Sequence, residues 1–320
     1  MKENQRLTAM IKLQSDINLV INTVRRFYTF KTVEFVRKHF MKNMKGNASS
    51  LLISQSKVEE DYSDDMYKII EGTNEVIIYD RDKLKIIKKT LELDKKVHGI
   101  SAFYAGARIA QYQDKLYITG GKDYQGDKKT CLAYGIKDGK IYKIPDMNNA
   151  RSYHTMLFHE NLKSLVVFGG ENNNTCEMFD FYLNTWNALP DLNVPRANLS
   201  AFIDRIGTFA FTVCGITGNI TSGAYSDAIE FLDLVDMSQG WIRIDYKNKA
   251  NVDLKENDIK IYPLSDNNLL IYGASKSRIY KKCFVIFDLK KFEIKKIDSH
   301  ILEMIKVNCM LHPELSKIFK

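Results

Sequence analysis

From about residue 67 onward the sequence repeats itself with a period close to 50 residues. Apolar runs that end in one or two glycines recur as LYITGG, LVVFGG, FTVCG and LLIYG. A strand, a short turn and another strand recur at 76–87, 131–144, 177–189, 229–244 and 283–297. Because one such unit cannot bury both faces of its sheet, neighbouring units must pack against each other.

The period and the strand-rich pattern predict an all-β fold, a β-propeller of five or six blades, each a short four-stranded antiparallel sheet. Residues 67–95 contain only a final hairpin and residues 300–320 only a first strand, Ile301–Leu311. If these two pieces form one composite blade, it and four whole blades make five. The six-blade count needs a divergent blade that begins near Leu51–Ile53, and an incomplete last blade is the third possibility.

The N-terminal segment is predicted to form a basic amphipathic α-helix over residues 1–46. Its apolar residues are three or four positions apart, at Met10, Leu13, Ile17, Val20, Val24 and Phe27. It carries ten Lys/Arg against three acids. Three roles remain open: self-association through residues 5–45 as a coiled coil, packing on the propeller, or contact of the basic face with acidic lipid or nucleic acid. Residues 47–66 are predicted to be a polar, acidic linker, and residues 67–320 the propeller.

Charge and cysteine usage limit the environment and the partners. Outside the basic segment the chain holds 37 bases and 36 acids, so no nucleic-acid interface is predicted on the propeller. The five cysteines are widely spaced without a C-x-x-C pair, which indicates free thiols in a reducing compartment. No export signal and no apolar stretch of about 18 residues is visible. We therefore expect a cytoplasmic protein with no transmembrane segment.

No motif for catalysis, metal binding or cofactor binding stands out. The six histidines show no ligand spacing; His154 and His159 are five apart, which in a strand places them on opposite faces. No nucleophile elbow, phosphate-binding loop or dinucleotide fingerprint occurs. We expect no catalytic residue, no metal and no cofactor, and the chain is predicted not to be an enzyme.

The repeat markers resemble the kelch repeat over about residues 68–320. That repeat has a double glycine after an apolar strand, a Tyr/Phe-Asp strand, a Trp, and a Pro-Arg that leads into the next unit. One unit carries all of these, as Gly169, Gly170, Phe179, Asp180, Trp186, Leu189, Pro190, Pro195 and Arg196. The other units depart from the pattern: Gly135 replaces the acid, Cys214 and Tyr272 replace the first glycine, and the last unit has no Trp.

The resemblance implies both structural and binding residues. The residues expected to hold the blades together are Arg108, Gly120, Gly121, Arg151, Gly169, Gly170, Trp186, Arg196, Gly215, Trp241 and Gly273. The residues expected on a partner-binding loop face are Lys122, Asp123, Tyr153, Asn172, Asn173, Asn174 and Asn198. The long insertions at 122–130 and 216–227 are expected to add variable rims to that face.

The function that this resemblance implies is a non-enzymatic protein–protein interaction module, with a protein partner of unknown identity. The arrangement of basic helix, linker and repeats is also similar to the C-terminal part of multidomain kelch proteins of protists. Two alternatives stay open. One is a cytoskeletal or membrane-surface adaptor that uses the basic helix, and the other is a divergent propeller enzyme acting on a sugar acid.

Overall fold

The computed structural model describes residues 66–80, 85–159, 162–204, 207–265, 268–275 and 282–297. The chain divides into one unit of residues 1–64 with 297–320 and another of residues 65–296. Apart from Ile297, all described residues belong to the second unit. The predicted helix at 1–46, nearly all of the predicted linker at 47–66 and the predicted strand at 301–311 lie outside the described residues. Met66, which we assigned to the linker, already belongs to a strand.

The described part of the second unit contains five sheets of three to five strands, numbered here in chain order, and two short two-stranded hairpins. Sheet 1 contains β1 (Met66–Ile69), β2 (Glu75–Asp80) and β3 (Lys85–Thr90). Sheet 2 contains β4 (Arg108–Tyr112), β5 (Lys115–Thr119), β8 (Cys131–Gly135) and β9 (Ile141–Ile144), and carries the hairpin β6 (Lys122–Asp123) and β7 (Gly126–Asp127). Sheet 3 contains β10 (Thr155–His159), β11 (Ser164–Gly170), β12 (Asn173–Asp180) and β13 (Thr185–Leu189).

The remaining two sheets each have an additional feature. Sheet 4 contains β14 (Ser200–Ile203), β15 (Phe209–Val213), β18 (Ile229–Asp233) and β19 (Ile242–Arg243), and carries the hairpin β16 (Ile216–Thr217) and β17 (Ala224–Tyr225). Sheet 5 contains β21 (Asn257–Ser265), β22 (Asn268–Ser275), β23 (Lys282–Asp288), β24 (Glu293–Lys296) and β20 (Lys247–Asn248), which pairs with β24 in parallel. Helical structure in the described ranges is confined to α1 (Lys95–His98) and the 3₁₀ turns Met237–Gln239 and Leu254–Glu256.

The prediction of several small antiparallel sheets is confirmed. Within each sheet the strands are antiparallel, apart from the short β20. The first strands β4, β10, β14 and β21 contact one another in chain order, and β1 contacts β4. Successive sheets that meet along their first strands in this way are consistent with a β-propeller.

One position of the recurring hairpin is structurally equivalent in all five sheets. It is the last residue of the strand that begins this hairpin: Asp80, Gly135, Asp180, Asp233 and Asp288. The carboxylate of Asp180 accepts hydrogen bonds from two backbone N–H groups of the next turn, and those of Asp233 and Asp288 do the same. The acid is therefore favoured there because it closes the turn of the hairpin.

Sheet 1 is a three-stranded version of the same unit. Asn74 and Leu91 exchange hydrogen bonds across the ends of β2 and β3, as Asn174 and Leu192 do in sheet 3. This equivalence makes β1 the counterpart of the second strand in the other sheets. Within the described ranges, sheet 1 has no counterpart of β4, β10 and β14. The predicted composite blade, with its first strand from Ile301–Leu311, stays a prediction.

The apolar faces of the sheets are buried against neighbouring sheets, as the size of the repeat requires. Sheets 2 and 3 share a core that includes Tyr117, Cys131, Val167, Phe179 and Trp186. Further shared cores lie between sheets 3 and 4, around Phe168, Leu199, Leu232 and Trp241, and between sheets 4 and 5, around Val213, Ile229, Leu269 and Phe287. Burial between sheets, rather than in one central core, is what stabilises this architecture.

A buried ion pair recurs in sheets 3 and 4. Arg151 is fully buried and its guanidinium bonds the Glu177 carboxylate at 2.5 Å and the carbonyls of Gly169 and Thr175. Arg196 is equally buried; it bonds Glu230 at 2.9 Å and the carbonyls of Cys214 and Ala228. Each arginine thus closes the turn that follows the second strand of its own sheet.

The same carboxylates also reach back to the preceding sheet. Glu177 accepts from the backbone N–H groups of Asn148 and Asn149, and Glu230 accepts from that of Asn193. The two tryptophans add a second tie, since Trp186 Nε1 donates to Pro145 O and Trp241 Nε1 to Pro190 O, both at 2.9 Å. Arginine, glutamate, asparagine and tryptophan therefore form one repeated junction between consecutive sheets.

Arg108 differs from the other two repeat arginines. The strand registers place Tyr104 at the position of Arg151 and Arg196, four residues before the first strand, and Leu132 at the position of the paired glutamate. Arg108 is instead the first residue of β4. Sheet 2 thus replaces the buried ion pair by an uncharged Tyr–Leu pair, and Arg108 is available for a different role.

The glycine pairs form turns with positive φ. Gly120 has φ +63° and Gly121 φ +99°, and a Cβ on Gly120 would lie 2.4 Å from the Arg151 carbonyl oxygen. In sheet 4, Cys214 replaces the first glycine of the pair and has φ +57°, a conformation that non-glycine residues rarely adopt. Gly273 is placed differently: it lies inside β22 and pairs with Ile259, so the strand continues through it.

Candidate functional site

The candidate site lies at one end of the sheets, which we call the rim. Because strands alternate in direction, the glycine turns and the segments that lead into the first strands meet at the same end. The rim comprises segments 104–108, 120–128, 151–155, 169–174, 196–200 and 214–226. The hairpins β6–β7 and β16–β17 belong to it, whereas the turns between the third and fourth strands lie at the opposite end.

A chain of backbone hydrogen bonds joins equivalent turns of sheets 2, 3 and 4. Tyr153 N donates to Gly106 O at 2.8 Å, and Asn198 N donates to Tyr153 O at 2.7 Å. All three residues have positive φ, at +69° for Gly106, +51° for Tyr153 and +48° for Asn198. Left-handed non-glycine residues persist only where the surrounding structure holds them, so these turns form a rigid support for the rim.

Two cations lie over the aromatic ring of Tyr153. The Arg108 guanidinium is 5.8 Å and the Lys122 ammonium 5.2 Å from the centre of its ring. Arg108 also donates from Nε to His154 O at 2.7 Å and from Nη2 to Asn198 Oδ1. A single side chain of sheet 2 therefore contacts the leading segments of sheets 3 and 4, and cation–π contacts strengthen the cluster.

Glu171 lies one residue after a glycine pair and is only 7% exposed. Its carboxylate accepts from Lys122 Nζ and, at 2.9 Å, from Ile220 N. Burial opposes ionisation of this carboxyl, but the Ile220 N–H and Lys122 outweigh it and hold the Glu171 pKa below its usual 4.5. The hydrogen bond to Glu171 in turn raises the pKa of Lys122. Both groups are therefore charged at neutral pH.

The residues that we expected on a binding face have different surroundings in the structure. Lys122, Tyr153 and Asn198 belong to the cluster around Arg108, and Asn172 is an exposed turn residue with φ +53°. The other three residues use their side chains in bonds within the protein. Asp123 pairs with Lys128 at 2.7 Å. Asn173 Nδ2 donates to Ala150 O and Asn174 Nδ2 to Leu192 O, so these two amides mainly hold the backbone in place.

Sequence reasoning missed three components of the rim. Arg108 was expected only among the residues that hold the blades together. Glu171 and Tyr124 were not among the expected binding residues, although the Tyr124 side chain is 94% exposed at the tip of β6–β7. Glu171 carried a usable signal, because it directly follows a glycine pair in the same way as Lys122. No sequence signal pointed to the bond from Arg108 to Asn198, because 90 residues separate the two.

His154 is a fully buried polar side chain directly beneath the rim. Its Nε2 lies 2.8 Å from Thr119 Oγ1, within hydrogen-bonding distance. Nδ1 has no partner among the described residues. Burial, together with the positive charges of Arg151 and Arg108, holds the His154 pKa well below 6.5.

We expect His154 to make folding sensitive to acid. Above pH 6.5 the residue is neutral in both states; below pH 6.5 the unfolded chain takes up a proton that the folded chain excludes. As the pH falls below 6.5, His154 should therefore lower the free energy of unfolding by about 1.4 kcal/mol per pH unit. This decrease ends at the pKa that His154 has in the folded protein. Urea unfolding at several pH values between 7.5 and 5 should show this slope in the natural chain.

The control is His154→Leu, which copies Leu199, the residue at the equivalent position in sheet 4. This variant should lack that part of the pH dependence. Equal slopes for the two proteins would contradict the assignment of a buried, neutral His154.

Two further properties concern chemistry and membranes. In the described ranges, no group of three or more His, Cys, Asp or Glu side chains is arranged to hold a metal ion. Among the described residues, Cys131, Cys176 and Cys214 are buried and form no disulfide. Burial raises the pKa of Cys176 to about 12, so this thiol is protonated and unreactive at neutral pH. Among the described residues, no helix has the length and apolar character needed to span a bilayer.

Comparison with known proteins gives a partial likeness. No protein-family model matches the sequence. Over 148 residues the chain is 26% identical to beta-scruin of Limulus polyphemus, a kelch-repeat protein. The match covers 41% of this chain and 15% of that protein, so the chain corresponds to a small part of its length. The likeness agrees with the repeat pattern of the sequence and with the small antiparallel sheets, and it carries no activity or partner with it.

Proposed function

We propose that this chain is a kelch-type propeller whose rim binds a protein partner and catalyses no reaction. The repeat phase, the five small and mainly antiparallel sheets and the likeness to a kelch-repeat protein support the fold. A rigid scaffold that presents loops at one end is a common arrangement for binding. The basic segment 1–46 lies outside the described residues, and self-association or an adaptor role through it remains a separate expectation.

The observation that carries the proposal is the contrast between a rigid rim base and the exposed groups above it. The base is held by the backbone chain through Gly106, Tyr153 and Asn198 and by the bonds of Arg108. Above it, the hairpin tip exposes Tyr124 almost completely. Tyrosine on a preorganised loop gives a large contact area at a low cost in conformational entropy, which makes it a frequent hot-spot residue.

The proposal is tested with two matched tyrosine variants. Tyr124 lies on the rim and Tyr182 at the opposite end of sheet 3, and the two side chains are 94% and 95% exposed. Tyr124→Ala should reduce the recovery of specific partners about ten-fold in quantitative affinity capture from cells that make the protein. Tyr182→Ala should leave the recovery unchanged, because Tyr182 lies at the opposite end from the rim. Neither substitution removes a buried contact, so the two variants differ only in the position of the lost ring.

The two variants also separate binding from stability. Both should unfold within about 0.5 kcal/mol of the natural chain, as expected for exposed surface positions. Partner recovery that is lost with Tyr182→Ala and retained with Tyr124→Ala would place binding at the opposite end and overturn the proposal.

A further inference from the structure

The charged side chains of the two rim hairpins and of the turn that joins them are bonded within the rim. In segments 122–127, 171–173 and 216–225, every charged side chain has a partner at the rim. Lys122 bonds Glu171, Asp123 bonds Lys128, and Asp127 Oδ1 accepts from Ser152 Oγ at 2.7 Å. The two ion pairs cancel four charges, whereas Asp127 keeps its negative charge and bonds a neutral hydroxyl. With one net charge on these segments and Lys128, the platform exerts only a weak field on a charged ligand.

The side chains that are exposed on these segments are all uncharged and mostly polar. They are Tyr124, Gln125, Asn172, Asn219, Thr221, Ser222 and Ala224. Tyr, Ser, Gly and Asn also dominate binding loops that recognise proteins through hydrogen bonds and aromatic contact. The composition of the exposed surface therefore favours a partner surface of low charge.

Glu171 connects the separate pieces into one platform. Its carboxylate bonds Lys122 on β6 and the backbone N–H of Ile220 in the β16–β17 loop, and its own N–H donates to Ser152 O. The loop is internally ordered as well, because Asn219 Oδ1 accepts from Thr221 N at 2.9 Å. One buried carboxylate thus sets the position of one hairpin relative to the other.

We infer that the hairpins β6–β7 and β16–β17, joined by Glu171, form a single docking platform for a protein partner with an uncharged, hydrogen-bonding contact surface. This inference rests on the proposed function and adds the chemistry of the partner to it. Glu171 acts as a positioning residue, since it supports the contact groups without being exposed itself. Binding that relies on hydrogen bonds and aromatic contact is insensitive to salt, unlike binding steered by charge.

The first test needs no partner. Glu171→Gln keeps the size of the side chain and removes its charge, so the hairpins should lose their common anchor. Hydrogen–deuterium exchange should become at least about five-fold faster at Ile220 and across both hairpins together. Asp180→Asn is the matched control, because Asp180 also caps backbone N–H groups but lies at the opposite end of sheet 3. Unchanged exchange in either hairpin of Glu171→Gln would overturn the single platform.

The second test uses random peptides displayed on phage as the probe, selected on the intact chain. Binders that Tyr124→Ala or Glu171→Gln weakens about ten-fold and Tyr182→Ala does not are expected to be poor in charged residues. Their Kd should change less than about two-fold between about 50 and 500 mM NaCl. Rim-dependent binders that are rich in charge, or that weaken more than about ten-fold with salt, would overturn the inference and leave the proposed function intact. Binders that respond only to Tyr182→Ala would contradict both.

Discussion

Replacing Glu230 by leucine should lower the free energy of unfolding by about 3–5 kcal/mol. Glu230 is 1% exposed and pairs with the fully buried Arg196. Burial lowers the pKa of Arg196 and the Glu230 charge opposes that shift, but the guanidinium stays charged at neutral pH with or without the carboxylate. Loss of the carboxylate leaves a buried charge without its partner, and also leaves the Asn193 N–H without its acceptor. Urea unfolding of the variant measures the loss.

The matched control is the double variant Arg196→Tyr with Glu230→Leu, which copies the Tyr104 and Leu132 pair of sheet 2. Without the unpaired charge, the double variant should be more stable than Glu230→Leu alone, because uncharged replacements of a buried ion pair are often tolerated. Strictly additive losses in the double-mutant cycle would show that the two residues do not act as a pair.

Replacing Trp241 by alanine should destabilise the protein by about 3–5 kcal/mol. Trp241 is 4% exposed, packs edge-on against Phe168 with ring centres 5.9 Å apart, and donates to Pro190 O. Its loss opens a cavity between sheets 3 and 4 and leaves the Pro190 carbonyl without its donor. Denaturant unfolding gives the magnitude, and Tyr182→Ala, which removes an exposed aromatic ring, should change stability by less than about 0.5 kcal/mol.

The equivalent change Trp186→Ala should have an effect of the same size at the junction of sheets 2 and 3. Trp186 is 7% exposed, packs against Phe179 and donates to Pro145 O in the same way. A loss below about 1 kcal/mol for both tryptophans would mean that the junctions between sheets do not control stability.

Much of the fold was predictable because its signals are local. The recurring hairpins at 131–144 and 177–189 appear where the repeated pattern of strand, short turn and strand predicted them, as β8–β9 and β12–β13. The glycine pair at 120–121 was recognisable because a turn with positive φ admits few residues other than glycine. The repeat arginines Arg151 and Arg196 were recognisable because equivalent junctions recur 45 residues apart along the sequence.

The rim was less predictable because its contacts join different sheets. Sequence spacing placed Arg108 with Arg151 and Arg196, whereas the strand registers put Tyr104 there and direct Arg108 towards Asn198. Nothing local distinguishes Asn172, which is exposed, from its neighbours Asn173 and Asn174, which bond backbone carbonyls. That distinction depends on which carbonyl of an adjacent segment lies within reach.

By itself the sequence determined the repeat, the strand pairs, the glycine turns and the residues that recur at each junction, because backbone conformation and burial pattern depend on neighbouring residues. Only the tertiary structure decided that Glu171 joins two hairpins, that Nδ1 of the buried His154 has no partner among the described residues, and that two cations lie over the ring of Tyr153. Each of these depends on distances between residues of different sheets. Those distances exist only after the sheets have packed.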